Sequence, residues 1–247
     1  MKNNLIAFGR NTLKNLINSD FFDFKKIIIS EDKQQEHLNL IKKMSDKGII
    51  YEIVSKKEFE RHIPDKKHQG VIAFIRNYNY SSINYLMKKK PNHKLPFLVM
   101  LDSIEDPHNF GAIIRTCAAM EVDGIIISSK HQVPVNSTVI KVSTGGISYV
   151  PICQVNSLEE TINTLKLNNY SIVSTVCDEE NLLNYNDLKI NTPICVVFGN
   201  EHDGIKNKIV KKSDILITIP LENDMNSLNV SVSCGIIVSS ISRSISL

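Results

Sequence analysis

The chain has 247 residues, 42% of them hydrophobic and 22% charged, with no Trp and a formal net charge of +3. That length predicts two compact units, and cores without Trp must rest on Ile, Leu and Val, the residues of buried strands and of the helices that cover them. Five widely spaced cysteines with no CxxC (Cys117, Cys153, Cys177, Cys195 and Cys234) argue against a disulfide framework and a cysteine-ligated zinc site.

The opening MKNNLIAFGR lacks the apolar core of a signal peptide, and no stretch approaches the roughly 20 apolar residues of a membrane span. A reducing, cytoplasmic location is expected, with no membrane partner. Residues 1–77 carry 15 Lys and Arg against 10 Asp and Glu, and residues 78–95 add four Lys and no acid. Residues 96–247 reverse the sign, with 10 basic against 16 acidic side chains. A basic front half fits attraction to a polyanion such as RNA. Lysines spread over solvated helix faces fit the same count.

In chain order, the β-branched runs Lys25–Ser30, Ile49–Val54 and Gly70–Arg76 predict strands. Between the first two, Leu38, Ile41 and Met44 place a helical face within Lys33–Lys47, with Gly48 as its stop. These elements predict a small α/β domain over residues 1–77. Residues 78–95, rich in Asn, Ser and Lys, predict a linker, with one possible helical turn at Ile83–Lys89.

From residue 96 to 247 the strands become continuously apolar: Phe97–Leu101, Gly124–Ser129, Ser171–Val176, Ile194–Gly199 and Ile215–Pro220. Helices are predicted at Asn109–Val122, Leu158–Asn169 and Leu228–Ile245. Strands apolar on both faces and separated by helices predict a parallel sheet covered on two sides, whose ligands bind beyond the carboxyl ends of the strands.

Three segments sit at such ends. In Asn109–Thr116 (NFGAIIRT), Asn109 suits a helix N-cap, Ile113, Ile114, Cys117 and Met120 suit the core, and Arg115 is expected to project toward the loop crevice. In Phe198–Gly204 (FGNEHDG), the glycines permit close approach of the backbone to a ligand. The spacing of Gly199 and Gly204 imitates a P-loop, but Ile205 and Lys206 replace its Lys and Ser/Thr, and no GxG supplies a dinucleotide fingerprint. In Ile219–Ser231 (IPLENDMNSLNVS), a polar loop enters a helix near Ser227–Ser231, where Ser231, Ser233 and Gly235 suit close packing. Taken singly, each segment also reads as an ordinary turn or helix cap. His68, His108 and His202 have no metal-ligand spacing, and no GxSxG marks a serine nucleophile.

Together and in this order, the three segments resemble the motifs of the SpoU family of RNA ribose 2′-O-methyltransferases. The front half, with LIAFGR at residues 5–10 and His68-Gln69-Gly70-Val71, resembles the L30e-like RNA-binding domain of the bacterial large-subunit rRNA guanosine 2′-O-methyltransferases. The resemblance implies a SPOUT-type α/β domain with a parallel sheet and a trefoil knot, a homodimer, and ribosomal RNA as partner. It implies S-adenosylmethionine as cofactor, contacted by Gly199, Ile219 and Leu228, with Thr175 and Val176 as further contacts.

Arg115 matches the family's central arginine. A guanidinium stays protonated, so its expected role is to stabilise the developing alkoxide and grip a phosphate, while a phosphate oxygen or water takes the proton. Asn109, Glu201, Ser227 and Asn229 match motif positions that orient Arg115, donor and nucleotide. The chain departs from the family pattern at Leu221, at Ser233 and at Asn223, which stands where the family usually has Gly; Asn tolerates positive φ better than other side chains. Methylation of tRNA and a non-catalytic RNA-binding role are the alternatives.

Overall fold

A computed structural model describes residues 5–62, 68–177, 182–200, 203–223 and 225–245. The chain divides into two compact units, one of residues up to Asn79 together with Val135–Tyr149, the other of Tyr80–Pro134 and Val150 onward.

The first unit holds β1 (Leu5–Phe8), α1 (Arg10–Asn18), β2 (Phe22–Ser30), a 3-10 turn (Glu31–His37), α2 (Leu38–Asp46), β3 (Tyr51–Val54), α3 (Lys56–Glu60) and β4 (Val71–Tyr78). The sheet order is β1-β4-β2-β3, antiparallel except for the β2–β3 pair, with a register irregularity around Phe24. Ile27, Ile28 and Ile29 of β2 and Val71, Ile72 and Ala73 of β4 are fully buried between α1 and α2 on one side and Phe59 of α3 on the other.

The predicted face of α2 shifts. Because the 3-10 turn precedes it, the α-helical phase starts only at Leu38, so the buried stripe is His37, Leu40 and Met44, while Leu38 is 51% exposed. Gly48 stops α2 with φ 65° as expected.

Within this unit, His37 Nε2 meets the Gln69 carbonyl at 2.9 Å, and the Gln69 side chain accepts from Arg10 N at 2.8 Å. The segment Val135–Tyr149 contributes α6 (Ser137–Val142), whose Ser137 Oγ accepts from Ile6 N of edge strand β1 at 2.7 Å.

The second unit contains α4 (Ile83–Lys88), β5 (Phe97–Asp102), α5 (Pro107–Ala119), β6 (Gly124–Ser128), β7 (Ile152–Val155), α7 (Leu158–Leu167), β8 (Ser171–Thr175), β9 (Leu183–Asn184), β10 (Ile194–Gly199), α8 (Asn207–Val210), β11 (Ile215–Thr218) and α9 (Val230–Ile245). Its seven strands run parallel in the order β7-β6-β5-β10-β8-β11-β9. Every residue of β5 and β6 is buried, which explains their unbroken apolar sequences.

α4 packs on this sheet. Ser82 caps it, Leu86 enters the core, and a Cβ on Gly124 would lie 2.6 Å from Leu86 Cδ2. Ser157 caps α7 by accepting from Glu160 N at 3.2 Å. Strands β7 and β9 go beyond the five that the sequence predicts, being too short, at four and two residues, to show a pattern.

Candidate functional site

The carboxyl ends of β8 and β10 open on a cavity of about 410 Å³, within the range of small-molecule sites. Its walls are Thr175, Val176 and Cys177 after β8, Phe198 to Asn200 at the end of β10, Asp203 to Ile205 of the following loop, and Asn207 and Val210 of α8. Asn226, Ser227 and Leu228 of the third motif, with Val230 and Ser233 of α9, close it. The second and third motifs therefore share one pocket, although residues 205–218 separate them in sequence.

Gly199 has a different reason from the expected one. A Cβ there would fall 2.1 Å from the Gly204 carbonyl carbon, so its lack of a side chain is spent on the loop folding back on itself. Asn200 and Gly204 face each other through two backbone hydrogen bonds of 3.2 Å, and Gly204 takes φ 64°. The described residues of this loop, Asn200 and Asp203 to Ile205, form one wall of the cavity.

The first motif departs from expectation at its start. Asp106, not Asn109, is the N-cap of α5: its carboxylate accepts from His108 N at 2.8 Å, and Pro107 occupies the first helical position. Proline's fixed φ and missing N–H favour that position, which moves the start upstream. Asn109 lies inside the first turn, and its Oδ1 accepts from Asn229 Nδ2 at 3.1 Å.

Asn229 in turn caps α9, with Oδ1 accepting from Ser231 N at 2.9 Å and Ser231 Oγ at 2.6 Å. One side chain thus fixes the start of α9 and ties the third motif to the first. The helix begins at Val230, two residues later than the sequence predicts. Ile113, Ile114 and Cys117 are buried as expected and Met120 is half-buried. Burial pushes the Cys117 thiol well above its ordinary pKa, and its contact with Cys234 of α9 adds to the shift.

Arg115 is exposed. It lies six residues beyond Asn109, about 9 Å along the helix axis and roughly 120° around it. No residue of α5 is among the described residues lining the cavity. The structure therefore brings Thr175, Val176, Gly199, Ser227 and Leu228 together at the cavity, and Asn109 with Asn229 beside it, but leaves Arg115 outside. Ile219 is half-buried and does not line the cavity. Glu201 lies outside the described residues.

The polar lining at Asn200, Asp203, Asn207 and Asn226 escaped the sequence reading. Asn200 and Asp203 lie within the second motif and Asn226 within the third, so motif membership was their visible signal; Asn207 sits on a four-residue helix that no periodicity marks. Asn223 takes φ 59°, the left-handed conformation foreseen for the residue in a glycine's place. Gly235 does not serve close packing inside this chain, since a Cβ there meets nothing within 4 Å.

Among the described residues the cavity has apolar walls (Val176, Phe198, Ile205, Leu228 and Val230) with amides and one carboxylate around them, a lining that suits a nucleoside bearing a charged tail.

Residues 96–239 match the model of the SpoU rRNA methylase family, and residues 6–81 match that of the RNA 2′-O ribose methyltransferase substrate-binding domain. A protein of Staphylococcus saprophyticus assigned to the TrmH family of tRNA/rRNA methyltransferases is 35% identical over 241 residues, covering 97% of this chain and 95% of its own. An AdoMet-bound rRNA methyltransferase from Sinorhizobium meliloti superposes with a TM-score of 0.81 at 22% identity, over 97% of this chain and 87% of that one. The A. aeolicus TrmH/SpoU tRNA-modifying enzyme, at 29% identity and a TM-score of 0.56, covers 64% of this chain and 79% of its own.

Proposed function

This chain belongs to the SpoU rRNA methylase family, and from that premise we propose that it methylates the ribose 2′-hydroxyl of a guanosine in 23S rRNA with S-adenosylmethionine as donor. The observation that carries the reading is the single cavity at the ends of β8 and β10, walled by two motifs and joined to the third through the Asn109–Asn229 hydrogen bond. RNA methylation is the activity of the family.

The preference for rRNA over tRNA is supported by coverage. The rRNA methyltransferase from S. meliloti aligns with 97% of the chain, the tRNA-modifying enzyme with 64%. The front unit, basic in sequence and matching a substrate-binding domain over residues 6–81, is then the part that grips rRNA.

In this reading Gly199, Leu228, Thr175 and Val176 hold the donor, and Ser227 faces it from the third motif. When bound, S-adenosylmethionine supplies an electrophilic methyl group on a sulfonium. What remains for the protein is to align the ribose oxygen and to stabilise the charge it develops. Arg115 is assigned that second task, and a phosphate oxygen or water takes the proton.

Because Arg115 lies outside its own chain's cavity, we assign it to the cavity of a second copy in a homodimer built on the outer faces of α5 and α9. Val232 of α9 is 50% exposed and Gly235 faces open space, so that side of the helix is free to receive another surface. The trefoil knot implied by the family fold belongs to the same reading. It would involve the segment that runs from β11 through residues 219–229 to α9, which packs on α5.

Transfer of labelled methyl to unmodified 23S rRNA, with tRNA assayed beside it, tests the substrate; preferential methylation of tRNA would overturn the rRNA assignment. Complementation tests the dimer. Arg115→Ala and Gly199→Val chains, each inactive alone, should regain activity when mixed, and no recovery would remove the second copy from the site.

A further inference from the structure

We propose that Asp102 is a positioning residue for the donor site, a buried carboxylate that clamps the loop from Gly199 to Lys206 in its binding shape; the proposal rests on the assignment of the cavity to S-adenosylmethionine. Asp102 ends β5 and stands in register with Gly199 of β10, so the clamp and the loop it holds spring from adjacent strand ends. Its side chain is fully buried.

Three donors converge on it from two residues. Lys206 N reaches Oδ2 at 2.9 Å, while Lys206 Nζ at 2.9 Å and Ser103 Oγ at 3.0 Å share Oδ1. Lys206 Nζ also donates to Ser103 Oγ at 2.7 Å, which closes a triangle of three polar groups. Ser103 completes it from a left-handed backbone, φ 67°, a conformation that costs free energy for a side-chain residue and is retained when its surroundings demand it.

Neither Asp102 nor Lys206 is among the described residues lining the cavity. Gly199, Asn200, Asp203, Gly204 and Ile205 do line it, and all five lie between the two ends of the clamp. The loop's far end is fixed because a dry carboxylate stripped of its donors is costly, so any loop position that withdraws Lys206 from Asp102 is disfavoured. With Gly199 held by its strand and Lys206 by Asp102, the described wall residues Asn200, Asp203, Gly204 and Ile205 stand between two fixed points. Donor affinity should therefore depend on two residues that do not touch the donor.

The test is calorimetry with S-adenosylmethionine, steady-state methyl transfer, and hydrogen exchange at the amides of Asn200, Gly204 and Lys206 in the ligand-free full chain. Asp102→Asn should weaken donor binding by at least about tenfold and raise its KM in step, with kcat at saturating donor and RNA affinity each within about threefold of wild type. The three amides should exchange faster.

Lys206→Met keeps the backbone donor to Oδ2 and should have a smaller effect of the same kind; it also serves if Asp102→Asn does not fold. The double variant Asp102→Asn/Lys206→Met should bind no more weakly than Asp102→Asn alone, because both changes remove the same contact and the half-exposed Lys206 ammonium is solvated once it is lost. Wild-type donor affinity in folded variants, or a lower melting temperature with affinity and exchange unchanged, would overturn the clamp. Wild-type protein that binds no donor would overturn the cavity assignment and this proposal together, and the control alone identifies that case.

Discussion

The two units use strands in opposite ways. In the front unit the four strands are largely antiparallel; the central strands β2 and β4 are buried in consecutive residues, while the edge strand β3 leaves Ile53 40% exposed. In the back unit the seven strands are parallel, with β5 and β6 buried at every residue, and the cavity with its polar lining opens where β8 and β10 end. A parallel sheet covered on both faces has no open face left for chemistry, and its site forms at the carboxyl ends. The front unit exposes its edge strand β3 and its helix surfaces and carries the basic excess. The division predicts that changes in the back unit act on donor binding and turnover, and changes in the front unit on RNA affinity.

The largest effect is expected at Arg115. Arg115→Ala should lower single-turnover methyl transfer by about 10²- to 10³-fold, the scale of removing one donor to a developing oxyanion, with donor affinity kept. Unchanged turnover would remove Arg115 from the reaction.

Gly199→Val comes next. Its first added carbon would meet Gly204 at 2.1 Å, so the loop must open, at a cost of about 1–3 kcal/mol, and calorimetry should show donor binding abolished. A normal donor affinity would show that the folded-back loop is not needed.

Asn229→Ala removes the cap of α9 and the bond to Asn109 together, and should cost about 1 kcal/mol in thermal unfolding while lowering turnover. Asn223→Gly should be neutral or slightly favourable in unfolding, whereas Asn223→Val should cost about 1 kcal/mol or more at φ 59°.

The front unit gives the smallest change. Replacing the exposed Lys56 and Lys57 by Ala should leave donor affinity alone and lower the salt slope of RNA binding by about 0.7 for each phosphate that is no longer neutralised. An effect on donor affinity instead would erase the division of labour between the units.

Much of this was legible from residue patterns. The limits of β10, Ile194–Gly199, are legible because five apolar residues bounded by Pro193 and Gly199 leave little choice. The positive φ of Asn223 was legible for a similar reason, since a glycine position admits few substitutes. The start of α5 was not, because Asn109 and Asp106 are both good caps and only the proline between them decides. The phase of α2 was hidden by a 3-10 turn, which has no periodicity of its own to read.

Taken by itself, the sequence determined the α/β class, the two-part organisation of its charge and the three motifs, because these depend on residue type and local spacing. Tertiary structure alone decided that Gly199 serves its own loop, that Asn109 answers Asn229 across 120 residues, that Val135–Tyr149 joins the front unit, and that Asp102 holds Lys206. Each of these is a meeting of segments that residue patterns do not connect. Hydrophobic periodicity says which face of an element is buried and is silent on which distant atom it will meet.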